Sequence, residues 1–339
     1  MADVITIGPV SAAPGAKAAG YLTVAWLNDA SPVQVPVMIV NGAQDGTHLW
    51  IQGGSHGNEY VGPMAIQDLY REVEPKAVRG ALILLPVINV TAFRAGTRGA
   101  PQDGLDMNRI WPGNPLARAR HIYAHSEIVV HQLVTHLERW ADAVVDCHSG
   151  GWPHRMSPYA QYFIAEDPVV SERSRAMALG AGLPLLWATS AQDYSEKAGG
   201  SIGTYLDRLG RPSITLEVGG EGRVPESDRV QMREALSGIC RALGILPGAA
   251  PRHRPRFEVQ KGHWLRAARG GALYPLVEPL DPVEQGQPVA RITDLLGEEL
   301  ETITAPAAGV VVGHRTLQMV NSGEYVCNVG EVVRVGGTP

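Results

Sequence analysis

Lysine is scarce in this 339-residue chain: it occurs only at Lys17, Lys76, Lys197 and Lys261, and arginine carries nearly all the other positive charge. With no lysine after Lys261, no cofactor can be attached to a lysine in the C-terminal stretch. Cysteine is sparse too. Cys147, Cys240 and Cys327 are odd in number, far apart and without C-x-x-C spacing, so no disulfide framework is expected and a reducing cytoplasm is the expected compartment. The start, M-A-D-V-I-T-I-G, lacks a basic stretch followed by an apolar run, so no signal peptide is expected. No apolar run approaches the ~18 residues that a membrane span needs. Positive charge is not in excess either. A net charge of -5 gives no electrostatic reason to expect nucleic acid or an anionic membrane as a partner.

What is present is the composition of a globular chain, 45% hydrophobic and 19% charged, long enough for two domains. Short β-like runs alternate with helical stretches. V-P-V-M-I-V at 35–40, H-L-W-I-Q-G-G at 48–54, A-L-I-L-L-P-V at 81–87, A-D-A-V-V-D-C-H at 141–148 and R-P-S-I-T-L-E-V at 211–218 read as strands. Helices are expected at 62–73, 117–141, 171–181, 201–209 and 226–243. This alternation predicts an α/β domain over 1–248: a mixed, mostly parallel central sheet flanked by helices. The Pro/Arg-rich P-G-A-A-P-R-H-R-P-R at 247–256 reads as a linker. Beyond it, short β-like runs separated by Gly and Pro predict an all-β domain over 249–339.

Four short patterns carry chemistry. G-G-S-H-G-N-E at 53–59 offers His56 and Glu59 after a glycine turn, and V-V-D-C-H places His148 at a strand end. Two imidazoles and a carboxylate are one ligand set for a catalytic zinc that keeps a position open for water. Taken alone, H-x-x-E also suits a glycine-rich turn with a helix-start glutamate. Asp146, two residues before His148 and so on the same strand face, would hold the His148 imidazole from behind; a strand-end cap is the alternative. D-M-N-R-I-W-P-G at 106–113 offers Asn108 and Arg109 to fix a substrate carboxylate, or else a loop held by an arginine salt bridge. Arg94 and Arg98, just upstream, are both candidates to stabilise an oxyanion. Glu217, in the apolar strand I-T-L-E-V-G-G, reads as a general base or as an arginine's salt-bridge partner. His121 and His125 sit four apart on a helix candidate and are read as solvated or capping; Trp152 and His154 line the pocket or pack a loop; Cys147 faces the core.

In their order, G-G-x-H-G-x-E, D-x-N-R-x-x-P-G, D-x-H-S and T-x-E-x-G resemble the succinylglutamate desuccinylase/aspartoacylase family, a branch of the zinc carboxypeptidase-like hydrolases. The resemblance runs over most of 45–339. The segments H-G-N-E-Y-V-G-P and F-R-A-G-T-R look nearest to the bacterial subgroup that includes an N-acetyl-diaminobutyrate deacetylase. Met107 and Trp111 stand where Leu and Phe are usual in the family, and both remain apolar.

The resemblance implies zinc on His56, Glu59 and His148, with Glu217 as the general base. It implies Asn108 and Arg109 on the substrate carboxylate and an arginine on the scissile carbonyl. Arg98 is preferred over Arg94 because it is nearer to D-M-N-R. The expected activity is a zinc-dependent amidohydrolase that deacylates a small N-acyl amino acid through metal-activated water. The alternative is a zinc carboxypeptidase acting on small peptides. E-L-E-T-I-T-A-P-A-A-G-V-V at 299–311 resembles a biotinyl/lipoyl-type hairpin fold without its modified lysine. That domain is expected to cover the active-site mouth, with Tyr274 or Tyr325 contributing, or to support a homo-oligomer.

Overall fold

The computed structural model describes residues 2–114, 124–190, 200–251 and 254–335. Its strands begin with a small hairpin, β1 (Ile5–Ile7) and β2 (Val10–Ala12), and continue with β3 (Ala16–Trp26), β4 (Pro32–Asn41), β5 (Gln44–Gly53) and β6 (Arg79–Leu85). Next come β7 (Ala143–His148), β8 (His154–Ile164), β9 (Leu185–Ser190) and β10 (Ser213–Gly220). The C-terminal strands are β11 (Phe257–Arg266), β12 (Gly271–Pro275), β13 (Pro282–Val283), β14 (Pro288–Thr293), β15 (Glu299–Thr304), β16 (Gly309–Arg315), β17 (Met319–Val320) and β18 (Tyr325–Val335). The helices are α1 (Val61–Glu72), α2 (Val90–Ala95), α3 (His125–Trp140), α4 (Pro168–Gly180), α5 (Ile202–Arg208) and α6 (Glu226–Ala242). Each helix expected from the sequence is present. The expected opening of α3, 117–123, lies outside the described residues, as do His121 and Lys197.

Among the described residues the main sheet has twelve strands, in the order β13-β16-β18-β11-β9-β8-β10-β7-β5-β6-β4-β3. Its central strands read as unbroken apolar runs because both faces are covered. Along them the side chains alternate between two cores. Leu49, Ile51, Leu82, Leu84 and Val145 face α1, α4 and α6 through Ile66, Leu69, Met177 and Ile239. Trp50, Ile83, Leu85 and Val144 face α3, α5 and the β1–β2 hairpin through Leu133, Leu137, Leu206 and Ile7.

The sheet is mixed, and the expected parallel character is confined to its middle. β5 pairs in parallel with β6 and β7, β7 with β10, and β9 with β8 and β11. Antiparallel strands flank and interrupt that block. β3 and β4 form a hairpin, which a short connection permits only for antiparallel strands. β8 inserts between β9 and β10, antiparallel to β10.

The sheet also crosses the boundary expected at 248/249. β11 pairs with β9, and β16 pairs with β8. Met156, Trp187, Phe257, Val259 and Val312 pack one apolar seam across that junction. A second sheet, β15-β14-β12-β17, carries the outer part of the C-terminal segment over its own core of Leu273, Val289, Ile292 and Val311.

Candidate metal centre and active site

β5, β7 and β10 are parallel neighbours, and their carboxyl ends share one edge of the sheet, where such folds place ligands. His148 ends β7, directly beside Glu217 of β10 in the register. β5 ends at Gly53, and Gly54 takes a φ of +61°, open to a residue without a side chain, to turn the chain toward α1. His56 and Glu59 lie on that turn. The Asn89 side chain steadies the turn by donating from Nδ2 to the Ser55 carbonyl at 3.1 Å.

The three expected ligands converge. His56, Glu59 and His148 are each at most 4% exposed, and their ligand atoms lie within 4.8 Å of one another. Nδ1 of His56 is 2.8 Å from Glu59 Oε1, and Nδ1 of His148 is 2.9 Å from Glu59 Oε2. Both imidazoles thus aim the same ring nitrogen at one carboxylate. Their other nitrogens are held from behind, His148 Nε2 by Asp146 Oδ2 at 2.7 Å and His56 Nε2 by Asp106 Oδ1 at 2.9 Å. An imidazole backed by a carboxylate is fixed in orientation and made a better donor. Two such imidazoles and a buried carboxylate suit a zinc-like divalent ion. The surrounding charge agrees: Glu59, Asp106, Asp146 and Glu217 bring four carboxyl groups to one edge, with Arg98 and Arg109 the cations acting on Asp106.

Asp146 is itself fully engaged. Gln52 Nε2 and Ser55 Oγ donate to its Oδ1 at 3.2 and 3.4 Å, and Asn108 Nδ2 donates to its Oδ2 at 3.4 Å. Asp146 stands behind the His148 ring, on the side away from Glu59.

Glu217 sits where β10 changes register between Glu217 and Gly219 opposite β8, a bulge that re-aims side chains near it. Pro158 of β8 lies opposite this irregular stretch, where its missing N–H breaks no regular ladder. At Gly220 a Cβ would come within 2.0 Å of the His154 carbonyl oxygen, so the strand end closes on β8 only with glycine there. Glu217 Oε2 is buried without a hydrogen-bond partner. Burial first, and then the charge of Glu59, push the Glu217 carboxyl up to about 8. For Glu59, burial pulls upward, but the two histidines outweigh it and hold its carboxyl well below the usual range.

Of the two candidate arginines, Arg98 reaches the centre. Its Nε and one terminal nitrogen donate to Asp106 Oδ2 at 3.1 and 3.0 Å, and the other lies 3.6 Å from Glu59 Oε1. Arg94 is exposed in the last turn of α2. Arg109 is exposed at the end of the short turn Met107–Arg109, with one guanidinium nitrogen 2.6 Å from the Asn108 carbonyl. Asn108 turns inward: its Oδ1 accepts from the Ile202 N–H at 3.0 Å while Nδ2 faces Asp146 and His148. Its side chain braces the centre, which leaves the open side to Arg109. Cys147 is buried in the core, as its strand parity predicts.

Asp106 escaped the sequence reading, although it opens the D-x-N-R pattern three residues before Arg109. Gln52 and Ser55 escaped as well; nothing in their local sequence marks them.

Residues 45–243 match the family model for the succinylglutamate desuccinylase/aspartoacylase catalytic domain. The chain is 28% identical over 324 residues to an N-alpha-acetyl-L-2,4-diaminobutyric acid deacetylase of Halomonas elongata, covering 93% of this chain and 91% of that protein. Among solved structures it resembles a succinylglutamate desuccinylase from a Silicibacter species, with a TM-score of 0.85, 26% identity and coverage of 96% and 99%. It also resembles a product-bound ectoine utilization protein from Ruegeria pomeroyi, with a TM-score of 0.82, 25% identity and coverage of 93% and 94%. The chain belongs to the succinylglutamate desuccinylase/aspartoacylase family of hydrolases.

Proposed function

We propose that this protein hydrolyses the amide bond of a small N-acyl amino acid, and that an N-acetyl amino acid is its substrate. The observation that carries the reading is the side-by-side placement of His148 and Glu217, with the Glu217 oxygen unpartnered beside a converged His–Glu–His set. His56, Glu59 and His148 would hold a zinc-like ion, which when bound would polarise the amide oxygen and make a water more acidic. Glu217 is free to take a proton from the attacking water and return it to the leaving amine. Arg98, braced by Asp106, turns its remaining guanidinium nitrogen toward the centre, 3.6 Å from Glu59 Oε1, where it would share the negative charge that grows on the carbonyl oxygen. Arg109 is the anchor for the substrate carboxylate, and Asn108 keeps the turn beneath it in place.

The test is a panel of N-acetyl, N-succinyl and N-formyl amino acids, assayed with and without a chelator. Peptides with free and blocked carboxyl ends, run alongside, examine the carboxypeptidase alternative. The expected result is preferential release of acetate, abolished by chelation and restored by zinc. Activity that persists after complete metal removal would overturn the mechanism.

A further inference from the structure

One wall of the site is built from residues that amide cleavage does not use. β8 runs antiparallel to β10, so its first residue, His154, arrives at the same sheet edge as Glu217. Arg315 of β16 pairs with His154 in register, and β16 pairs in turn with β18. That route brings Tyr325, the first residue of β18, against His154, and the two rings meet edge to face with centroids 4.9 Å apart. Both groups lie within electrostatic reach of the centre, His154 of Arg98 and Glu59, Tyr325 of Glu217.

His154 Nε2 and the Tyr325 hydroxyl are buried, and neither has a hydrogen-bond partner. Buried polar groups are seldom left so, and at a site the missing partner is commonly a ligand. Both groups are uncharged. The His154 imidazole donates to the Gly150 backbone through its other nitrogen, and burial together with the Arg315 charge holds its pKa down to about 4. Nε2 therefore presents a lone pair. Burial pushes the Tyr325 phenol well above its ordinary value, so it keeps its hydrogen. The wall thus offers one fixed acceptor and one hydroxyl.

Charge of either sign is disfavoured there. An ammonium group would meet the positive field of Arg315 and Arg98, the two cations that act on His154. A carboxylate would set its lone pairs against that of Nε2 and would face Glu59 and Glu217. The arginines are already engaged, Arg315 by Glu324 at 3.2 Å and the Met319 carbonyl at 2.9 Å, Arg98 by Asp106 at 3.0 Å. A neutral group that both donates and accepts, such as a hydroxyl or a carboxamide, satisfies both buried atoms without bringing charge into the wall. In an N-acetyl amino acid the carbonyl is taken by the metal and Arg98, and the carboxylate by Arg109. Only the side chain is left to supply that group.

We propose that His154 and Tyr325 form a specificity subsite for an uncharged hydrogen-bonding side chain, a hydroxyl or a carboxamide, on the substrate amino acid. This rests on the deacylase reading of the same site and adds the class of amino acid it accepts. The side chain donates to His154 Nε2 and accepts from the Tyr325 hydroxyl.

The experiment measures kcat/KM for N-acetyl derivatives of amino acids of nearly equal size. Homoserine carries a hydroxyl, asparagine a carboxamide, aspartate a carboxylate, 2,4-diaminobutyrate an ammonium and norvaline a methyl group. The better of the homoserine and asparagine compounds should exceed the other three by about tenfold or more in the wild type. His154→Phe and Tyr325→Phe should each lower its ratio to norvaline about tenfold. Tyr325→Phe removes one oxygen atom and keeps the packing, so it remains informative if His154→Phe folds poorly. A wild type that prefers a charged side chain or norvaline, or a ratio that survives both substitutions, overturns the subsite. If none of these compounds is hydrolysed, the deacylase reading fails on its own. Calorimetric binding of the same intact compounds to wild type and variants then decides whether the subsite exists.

Discussion

Asp106 Oδ1 lies 2.9 Å from Nε2 of His56, while the other oxygen of the same carboxylate receives two bonds from Arg98. One side chain thus sets the orientation of an imidazole of the candidate metal centre and of the arginine beside it. Asp106→Asn keeps the shape and loses the charge. It should weaken metal affinity by about 10- to 100-fold, read by competition with a chromogenic chelator. Activity at saturating metal should fall as well, because Arg98 loses its brace.

Glu217→Gln removes the proposed proton carrier without changing the packing around it. Activity should fall by roughly 10²- to 10⁴-fold, with metal content and thermal midpoint close to wild type. Metal analysis and a melting curve on the same preparation separate loss of chemistry from loss of the site. A variant that retains full turnover would remove Glu217 from the reaction.

Arg109→Ala tests the carboxylate anchor. KM should rise by about tenfold or more through loss of a charge-assisted contact. An N-acetylated amine of the same size without a carboxylate should be turned over equally poorly by the wild type and the variant. A KM unchanged by the substitution would assign the carboxylate to another group.

His154 gives a pH signature for stability. Its pKa is down to about 4, with burial the first cause and Arg315 the second, against an ordinary value of 6.5. As pH falls below 6.5 the unfolded chain takes up the proton and the folded one does not. The stabilisation is therefore complete above 6.5 and is lost progressively toward 4. Urea midpoints at pH 7 and pH 5 should differ more in the wild type than in His154→Phe. Equal differences would show that the histidine titrates normally in the folded protein.

The centre was legible in the sequence because its chemistry admits few residue types in few places. His56 and Glu59 follow an apolar strand while His148 and Glu217 lie in the later part of one, all near glycines that let the backbone turn. Asp106 was not legible as a partner of His56, since a carboxylate in a loop fifty positions away carries no local mark of what it touches. β3 was missed because A-K-A-A-G-Y-L-T-V-A-W is poor in strand-forming residues at its start, and β8 because Pro158 interrupts it. The join between β8 and β16 depends on pairing between segments more than a hundred residues apart, which no periodicity reports.

The sheet that runs unbroken through β9–β11 and β8–β16 makes the C-terminal segment a structural neighbour of the catalytic strands rather than an attachment. A chain ending at residue 248 would leave β8 and β9 with bare pairing edges and uncover Trp187 and Met156. Exposed edges of that kind recruit other strands, so such a truncation should yield aggregates and not a minimal enzyme. The strand that carries Glu217 and the C-terminal strands β11, β16 and β18 are thereby parts of one hydrogen-bonded sheet.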